Sequence, residues 1–335
     1  HPIVADIVDL EAARQNFDGI TYAKGASVLK QLAAYVGRDA FLDAAHRYFA
    51  AHAWGNASLA DFMAVLEAAS GRDMRAWADA WLHTSGVPRL RVDVDGDAPV
   101  LRQEGADPVT GGPILRPHVL KVGVFTPGQD GVLRRTAQVA ADVPGGADGA
   151  AVVLEGLTVP AGVRLVLPND EDLTYAAVAL DAGSLRAALT HPLADPLAEA
   201  TVWAALWSMT RDGELPVARF LDAVATLSAR IATVGVHAQV LAQAAAAALA
   251  KIVATLPDRV QAQAIHTAHQ VYRFETRPPA PAHMALVRAG LPQLDAAVRT
   301  QVQDVDDPGV LVTYRDHPRG SFVGVYNVTP QWRSV

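Results

Sequence analysis

Four groups of side chains in this chain have residue types and spacings that could do chemistry. Tyr22 sits in the run Ile20-Thr-Tyr-Ala-Lys-Gly25, directly ahead of a helical apolar stripe. A phenol with a pKa of about 10 stays protonated at neutral pH and can donate a hydrogen bond to a developing oxyanion. The small residues that follow let backbone approach a site closely. On spacing alone, though, a core tyrosine with a satisfied hydroxyl is the commoner reading. Asp93, Asp95, Asp97 and Glu104 fall at the first, third, fifth and twelfth positions of a calcium loop. Ala98 stands where that loop requires glycine and no flanking helices are expected, so a solvated β-hairpin turn is the better reading. His266 and His269 lie three apart on an expected helix, a spacing that can hold a metal, but no third ligand is near in sequence and a surface or core pair is favoured. Asn169, Asp170, Glu171 and Asp172 form an acidic run that more often caps and positions a turn than binds metal. The sequence has no glycine-rich phosphate loop and no serine nucleophile elbow.

The elements that must position these groups change character twice. Residues 20–86 read as helices. Val28, Leu29, Leu32 and Val36 recur at helical spacing, and Gly37 ends the run. Phe41, Leu42, Ala45, Tyr48 and Phe49 form a second stripe. Ser58 with Asp61 resembles a capping box opening a third, Leu59, Phe62, Met63, Leu66 and Ala69, which Gly71 follows. Met74, Trp77, Ala78 and Trp81 make a fourth, before the stop signal of Gly86 and Pro88. Residues 86–170 then hold 13 Gly and 9 Pro around short alternating runs such as Leu90–Val94, His118–Phe125 and Val163–Leu167. Such spacing predicts a small β-sandwich. Residues 181–300 contain only 4 Gly and are dominated by alanine and leucine, with helices expected at 195–211, 216–230, 236–256 and 258–273. A solenoid or bundle of helix pairs follows. The last 30 residues read as strands and turns and fit poorly with a helical domain.

Composition excludes several functions. The 335 residues are 51% hydrophobic and 19% charged, a globular composition. A net charge of −7 argues against nucleic acid, whose phosphates need a basic face. The absence of cysteine removes disulfides, thiolate zinc sites and a nucleophilic thiol, and fits a cytoplasmic protein. The most apolar stretch, Ala238–Leu256, carries Gln239, Gln243 and Lys251 and is mostly alanine, so a buried helix is expected rather than a membrane span. The chain begins with His1 and shows no signal peptide, which reads as a cut inside a longer protein.

The segment Phe17-Asp-Gly-Ile-Thr-Tyr-Ala-Lys-Gly-Ala-Ser-Val-Leu29 resembles the tyrosine segment of the M1-family zinc aminopeptidases, in which a Tyr-x-Lys-Gly-Ala run opens a helix beside the zinc. His1-Pro-Ile3, Trp77–Trp81 and Ser85–Pro88 resemble other stretches of that family's catalytic domain. Leu115-Arg-Pro-His118, Leu167-Pro-Asn-Asp-Glu-Asp-Leu-Thr-Tyr175 and Trp207–Glu214 are similar to its actinobacterial members. The resemblance covers residues 1–275 or so, in order. It implies an enzyme that removes the N-terminal residue from peptides by zinc-activated water. In the family the zinc is held by a His-Glu-x-x-His helix and a later Glu, and a Gly-x-Met-x-Asn loop binds the substrate amine. None of these is present; the chain contains no His-Glu pair.

Several expectations follow from the resemblance. Tyr22 is the one catalytic position that carries over, as the oxyanion's hydrogen-bond donor. Lys24 is expected on the helix surface or in an ion pair, and Gly25 where helices pack closely. The fold expected is multidomain α+β: residues 1–88 the helical end of a thermolysin-like catalytic domain, 89–180 a β-sandwich, and 181–335 a helical C-terminal domain roofing the site. Zinc belongs to the full-length enzyme, with ligands outside this chain. The partners are peptide substrates and the N-terminal remainder of the same protein, with neither nucleic acid nor membrane. The chain alone is expected to be inactive. The competing reading is a non-catalytic, M1-like interaction scaffold that keeps the fold without the metal.

Overall fold

The computed structural model describes residues 2–4, 7–16, 19–95, 98–108, 110–253, 299–303, 310–317 and 320–327. The fold is mixed α+β and divides into two compact units, His1–Ala244 and Ala245–Val335.

The first unit opens with helices α1 (Leu10–Asn16), α2 (Gly25–Val36), α3 (Arg38–Ala51), α4 (Leu59–Ser70) and α5 (Met74–Leu82), and a short π-helix, Ile20–Lys24, leads into α2. Local sequence explains most boundaries. Ser58 and Asp61 exchange hydrogen bonds as a capping box, the Ser58 amide donating to the Asp61 carboxylate at 2.8 Å. Gly71 closes α4 in the left-handed conformation (φ 71°), where a Cβ would be strained. Asp73 caps α5 by accepting from the Ala76 amide at 2.9 Å. The apolar stripes meet in one core containing Val28, Leu32, Leu66, Met74, Trp77 and Trp81. Burying each such side chain stabilises the fold by about 1.5–3 kcal/mol.

Seven strands follow: β1 (Arg89–Asp93), β2 (Val100–Glu104), β3 (His118–Pro127), β4 (Leu133–Val143), β5 (Ala151–Val153), β6 (Leu165–Asp170) and β7 (Ala177–Val178). They form two sheets, ordered β5-β2-β1-β7 and β4-β3-β6, with β1 and β7 parallel and the other pairs antiparallel. One buried cluster takes Leu90, Val92 and Leu101 from the first sheet and Leu120, Val122, Val124 and Val166 from the second. That shared core is the sandwich the alternating runs predict. Every residue of β6 is buried.

Helices return as α6 (Ala182–Thr190), α7 (Pro196–Arg211), α8 (Val217–Leu227) and α9 (Val234–Val253). Asp181 and Asp195 cap α6 and α7, and Pro196 takes the first turn of α7, where its missing N–H costs nothing. Trp203 and Phe220 meet edge to face at 6.2 Å between α7 and α8. The expected helices 195–211, 216–230 and 236–256 correspond to α7, α8 with a 3-10 turn at Ser228–Arg230, and α9. The expected helix 258–273 lies outside the described residues. Beyond it, β8 (Arg299–Gln303), β9 (Val310–His317) and β10 (Gly320–Asn327) form an antiparallel sheet ordered β10-β9-β8. Residues 181–335 are therefore not helical throughout; the chain turns to strand as the composition of its last residues indicates. Among the described residues, no helix is long and apolar enough to cross a membrane.

Candidate active site

Tyr22 lies in the π-helix just before α2 and is 61% exposed. Single π-turns concentrate at functional sites, because the extra residue re-aims the side chains around it. The tyrosine lines an apolar groove of about 490 Å³ together with Ala26, Leu29, Leu59, Phe62 and Trp77. Among the described residues nothing comes within 4 Å of a Cβ built at Gly25, so none of them forms the close helix packing expected there.

Lys24 departs further from expectation. It is buried, at 4% exposure, and its Nζ donates to the Thr84 carbonyl at 3.1 Å. Lys24 stands four residues before Val28, so helical spacing places it on the face that Val28, Leu32 and Val36 bury; its charge is what argued for the surface. Burial, and next the charge of Arg116, lower its pKa to about 8.

Arg116, from the loop before β3, occupies the C-terminal end of α5. It is 2% exposed. Its guanidinium donates to the Ala80 carbonyl (2.9 Å), the Thr84 hydroxyl (2.8 Å from Nη2), the Ser85 carbonyl (2.9 Å) and the Gly86 carbonyl (3.2 Å). Carbonyls left unpaired at a helix C-terminus carry partial negative charge, so a buried cation is well placed there. The ring of Trp81 lies beneath it at 5.0 Å.

His118, two residues on, is wholly buried. Gln103 accepts from the Arg116 amide at 2.7 Å through Oε1 and donates to the Arg116 carbonyl at 3.0 Å through Nε2, which fixes its amide orientation. Its Oε1 therefore accepts from His118 Nε2 at 2.9 Å, leaving His118 Nδ1 to accept from the Thr174 hydroxyl at 2.7 Å. This arrangement holds a neutral imidazole. Burial first, and the Arg116 charge second, push its pKa down to about 3.

The acidic run Asn169–Asp172 holds a turn, as its composition indicates. Asn169, Glu171 and Asp172 have positive φ (59°, 73° and 51°). The Asn169 side chain ties the turn by bonding both the amide and the carbonyl of Thr174. Asp170, fully buried, receives Arg135 at 2.6 and 2.9 Å and Gln138 at 2.7 Å. Glu171 pairs with Lys121 at 2.9 Å, and Asp172 with Lys30 of α2 at 3.2 Å.

Among the described residues, carboxylates of the candidate calcium loop are engaged in ion pairs. Asp93 is paired with Arg102 and Arg91, and Glu104 with Arg91, along the β1–β2 ladder. Asp97, His266 and His269 lie outside the described residues. Among the described residues, no group of three His, Cys, Asp or Glu could hold a metal ion. With no His-Glu pair in the sequence, the residues of this chain do not make the zinc site that the M1 resemblance implies.

Comparison with known proteins agrees with the resemblance. Residues 1–81 match the peptidase family M1 domain and residues 165–276 the ERAP1-like C-terminal domain. Aminopeptidase N of Streptomyces lividans is 42% identical over 247 residues, 70% of this chain and 28% of that protein. Tricorn protease-interacting factor F2 of Thermoplasma volcanium is 38% identical over 104 residues, 31% of this chain and 13% of its own length. Glutamyl aminopeptidase of Bos taurus is 38% identical over 93 residues, 28% of this chain and 10% of its own. The chain thus spans under a third of the length of these relatives. With both family models matched in chain order, and one relative similar along most of the chain, this protein belongs to the M1 peptidase family.

Proposed function

We propose that the intact protein is an aminopeptidase that hydrolyses the N-terminal residue from peptides, with Tyr22 donating its hydroxyl to the carbonyl oxygen under attack. The observation that carries this is Tyr22 itself: it falls within the M1-matched segment, at an exposed position on a π-turn, lining a groove. As water adds to a peptide carbonyl, negative charge grows on oxygen. A donor fixed in advance stabilises that oxygen more than the ground-state carbonyl, by about 3 kcal/mol. In this reading zinc chemistry belongs to the whole protein, with ligands from outside this chain, and the chain alone is inactive. Residues 1–88, 89–180 and 181–335 are then the end of the catalytic domain, a β-sandwich and a C-terminal domain.

The test is Tyr22→Phe in the intact protein, assayed on an aminoacyl p-nitroanilide. The change keeps the ring and removes one hydroxyl, so kcat should fall on the order of 100-fold with little change in KM. Turnover within about threefold of wild type would be far less than a lost oxyanion donor costs, and would remove Tyr22 from the site. An intact protein with no peptidase activity at all would favour the scaffold reading.

A further inference from the structure

The π-helix presents two side chains in opposite ways. Tyr22 is 61% exposed and lines the groove, whereas Lys24, its last residue, is 4% exposed and turned inward. The Lys24 ammonium donates to the Thr84 carbonyl, two residues past the end of α5. That anchor is itself immobilised, because Arg116 binds the hydroxyl of Thr84 and the carbonyls of Ser85 and Gly86. An isolated π-turn has weak intrinsic stability, so something outside the turn must select it over continued α-helix. A buried, charge-assisted bond to a rigid helix end is such a device.

We propose that Lys24 is a positioning residue for Tyr22: its bond to the Thr84 carbonyl fixes the π-turn and so the direction of the phenol. This rests on the reading of Tyr22 as the oxyanion donor, and goes beyond it by assigning the support that aims the hydroxyl. Lys24 does not touch substrate in this scheme. Its removal lets the turn relax toward α-helical phase and swings the tyrosine away, a displacement of the kind that costs on the order of 10- to 100-fold in rate.

The experiment is a double-mutant cycle in the intact protein, combining Lys24→Met with Tyr22→Phe, with Lys24→Arg as the variant that restores a charged donor. Lys24→Met should lower kcat on the order of 10-fold or more at nearly constant KM in the wild-type background and change it by less than about twofold in the Tyr22→Phe background. Lys24→Arg should recover most of the loss. Fluorine NMR of the protein carrying 3-fluorotyrosine at position 22 should show one sharp resonance in wild type and a shifted or second resonance in Lys24→Met. If the methionine variant folds poorly, Lys24→Gln, which removes the charge and shortens the reach to the Thr84 carbonyl, is read in its place, with the same shifted or second resonance expected. Equal losses in both backgrounds, or an unshifted resonance, would overturn the assignment. A Tyr22→Phe variant of unchanged kcat would instead show that the oxyanion reading failed, a result distinguishable because it needs no change at Lys24.

Discussion

Acidification should destabilise this fold before the carboxylates of its ion pairs titrate, and His118 is the reason. Its imidazole is fully buried and neutral, bonded to Gln103 and Thr174, with its pKa lowered from 6.5 to about 3 by burial and then by Arg116. In the unfolded chain it titrates at about 6.5. Between those values the unfolded state binds a proton that the folded state refuses. The stabilisation is complete above about pH 6.5 and is lost as pH falls toward 3. Going from pH 7.5 to 4.5 crosses about two units below the unfolded pKa, at about 1.4 kcal/mol each, and so costs about 2.7 kcal/mol. Glu171, Asp195 and Glu214 have lowered pKa values in the fold, so their stabilisation is lost as pH falls from the ordinary carboxylate values toward those lower ones, from the bottom of that interval down. Glu199, raised by burial, works in the opposite direction, and all four act alike in the wild type and the variant below. The assay is denaturant unfolding followed by tryptophan fluorescence at both pH values, for wild type and His118→Gln. The variant has no charge to gain, so it should be weaker at pH 7.5 but lose about 2.7 kcal/mol less on acidification. Equal losses in the two proteins, or a His118 resonance that titrates above pH 5, would refute the reasoning.

Other outcomes can be checked alongside. Gly123→Ala should destabilise by about 1–3 kcal/mol in the same unfolding assay. A Cβ there would come within 2.3 Å of the Asp170 carboxylate and 2.8 Å of the Phe125 ring, and Asp170 is held in place by Arg135 and Gln138. Tyr22→Phe should lower stability by about 1 kcal/mol or less, since it removes one hydrogen bond and keeps the ring, so a thermal melt separates catalytic from structural loss. The purified chain should retain no stoichiometric zinc after dialysis, because it has neither cysteine nor a His-Glu pair; one tightly held zinc per chain would contradict this.

Local signals carried the helices and strands into view. The capping box at Ser58, the left-handed Gly71 and the stripe of Trp77 and Trp81 are all set by residues three or four apart, and all are present as read. The junction between the helices and the sandwich was not legible, because its partners are distant in sequence. Lys24 meets Thr84 across 60 positions, Arg116 reaches Ala80 across 36, and His118 meets Thr174 across 56. The run Leu115–His118 stood out as a family stretch, but nothing in it says that its cation ends one helix and its imidazole stays neutral. Lys24 was misplaced for another reason: its charge argued for the surface, although its spacing from Val28, Leu32 and Val36 puts it on the buried face.

The segment Ser85–Pro88, whose Gly86 and Pro88 stop the helices, has a consequence for how this protein can be cut or recombined. Arg116 grips its carbonyls, Trp81 donates to the Pro117 carbonyl at 2.9 Å, and Gln31 of α2 donates to Val119 at 3.2 Å. A fragment ending at this segment would expose a helix end stripped of its cation, and one beginning there would leave the buried guanidinium without its Ala80 and Thr84 acceptors. Chimaeras that swap the sandwich between relatives therefore need crossover points elsewhere, or must carry Trp81, Thr84 and Arg116 as one inherited set.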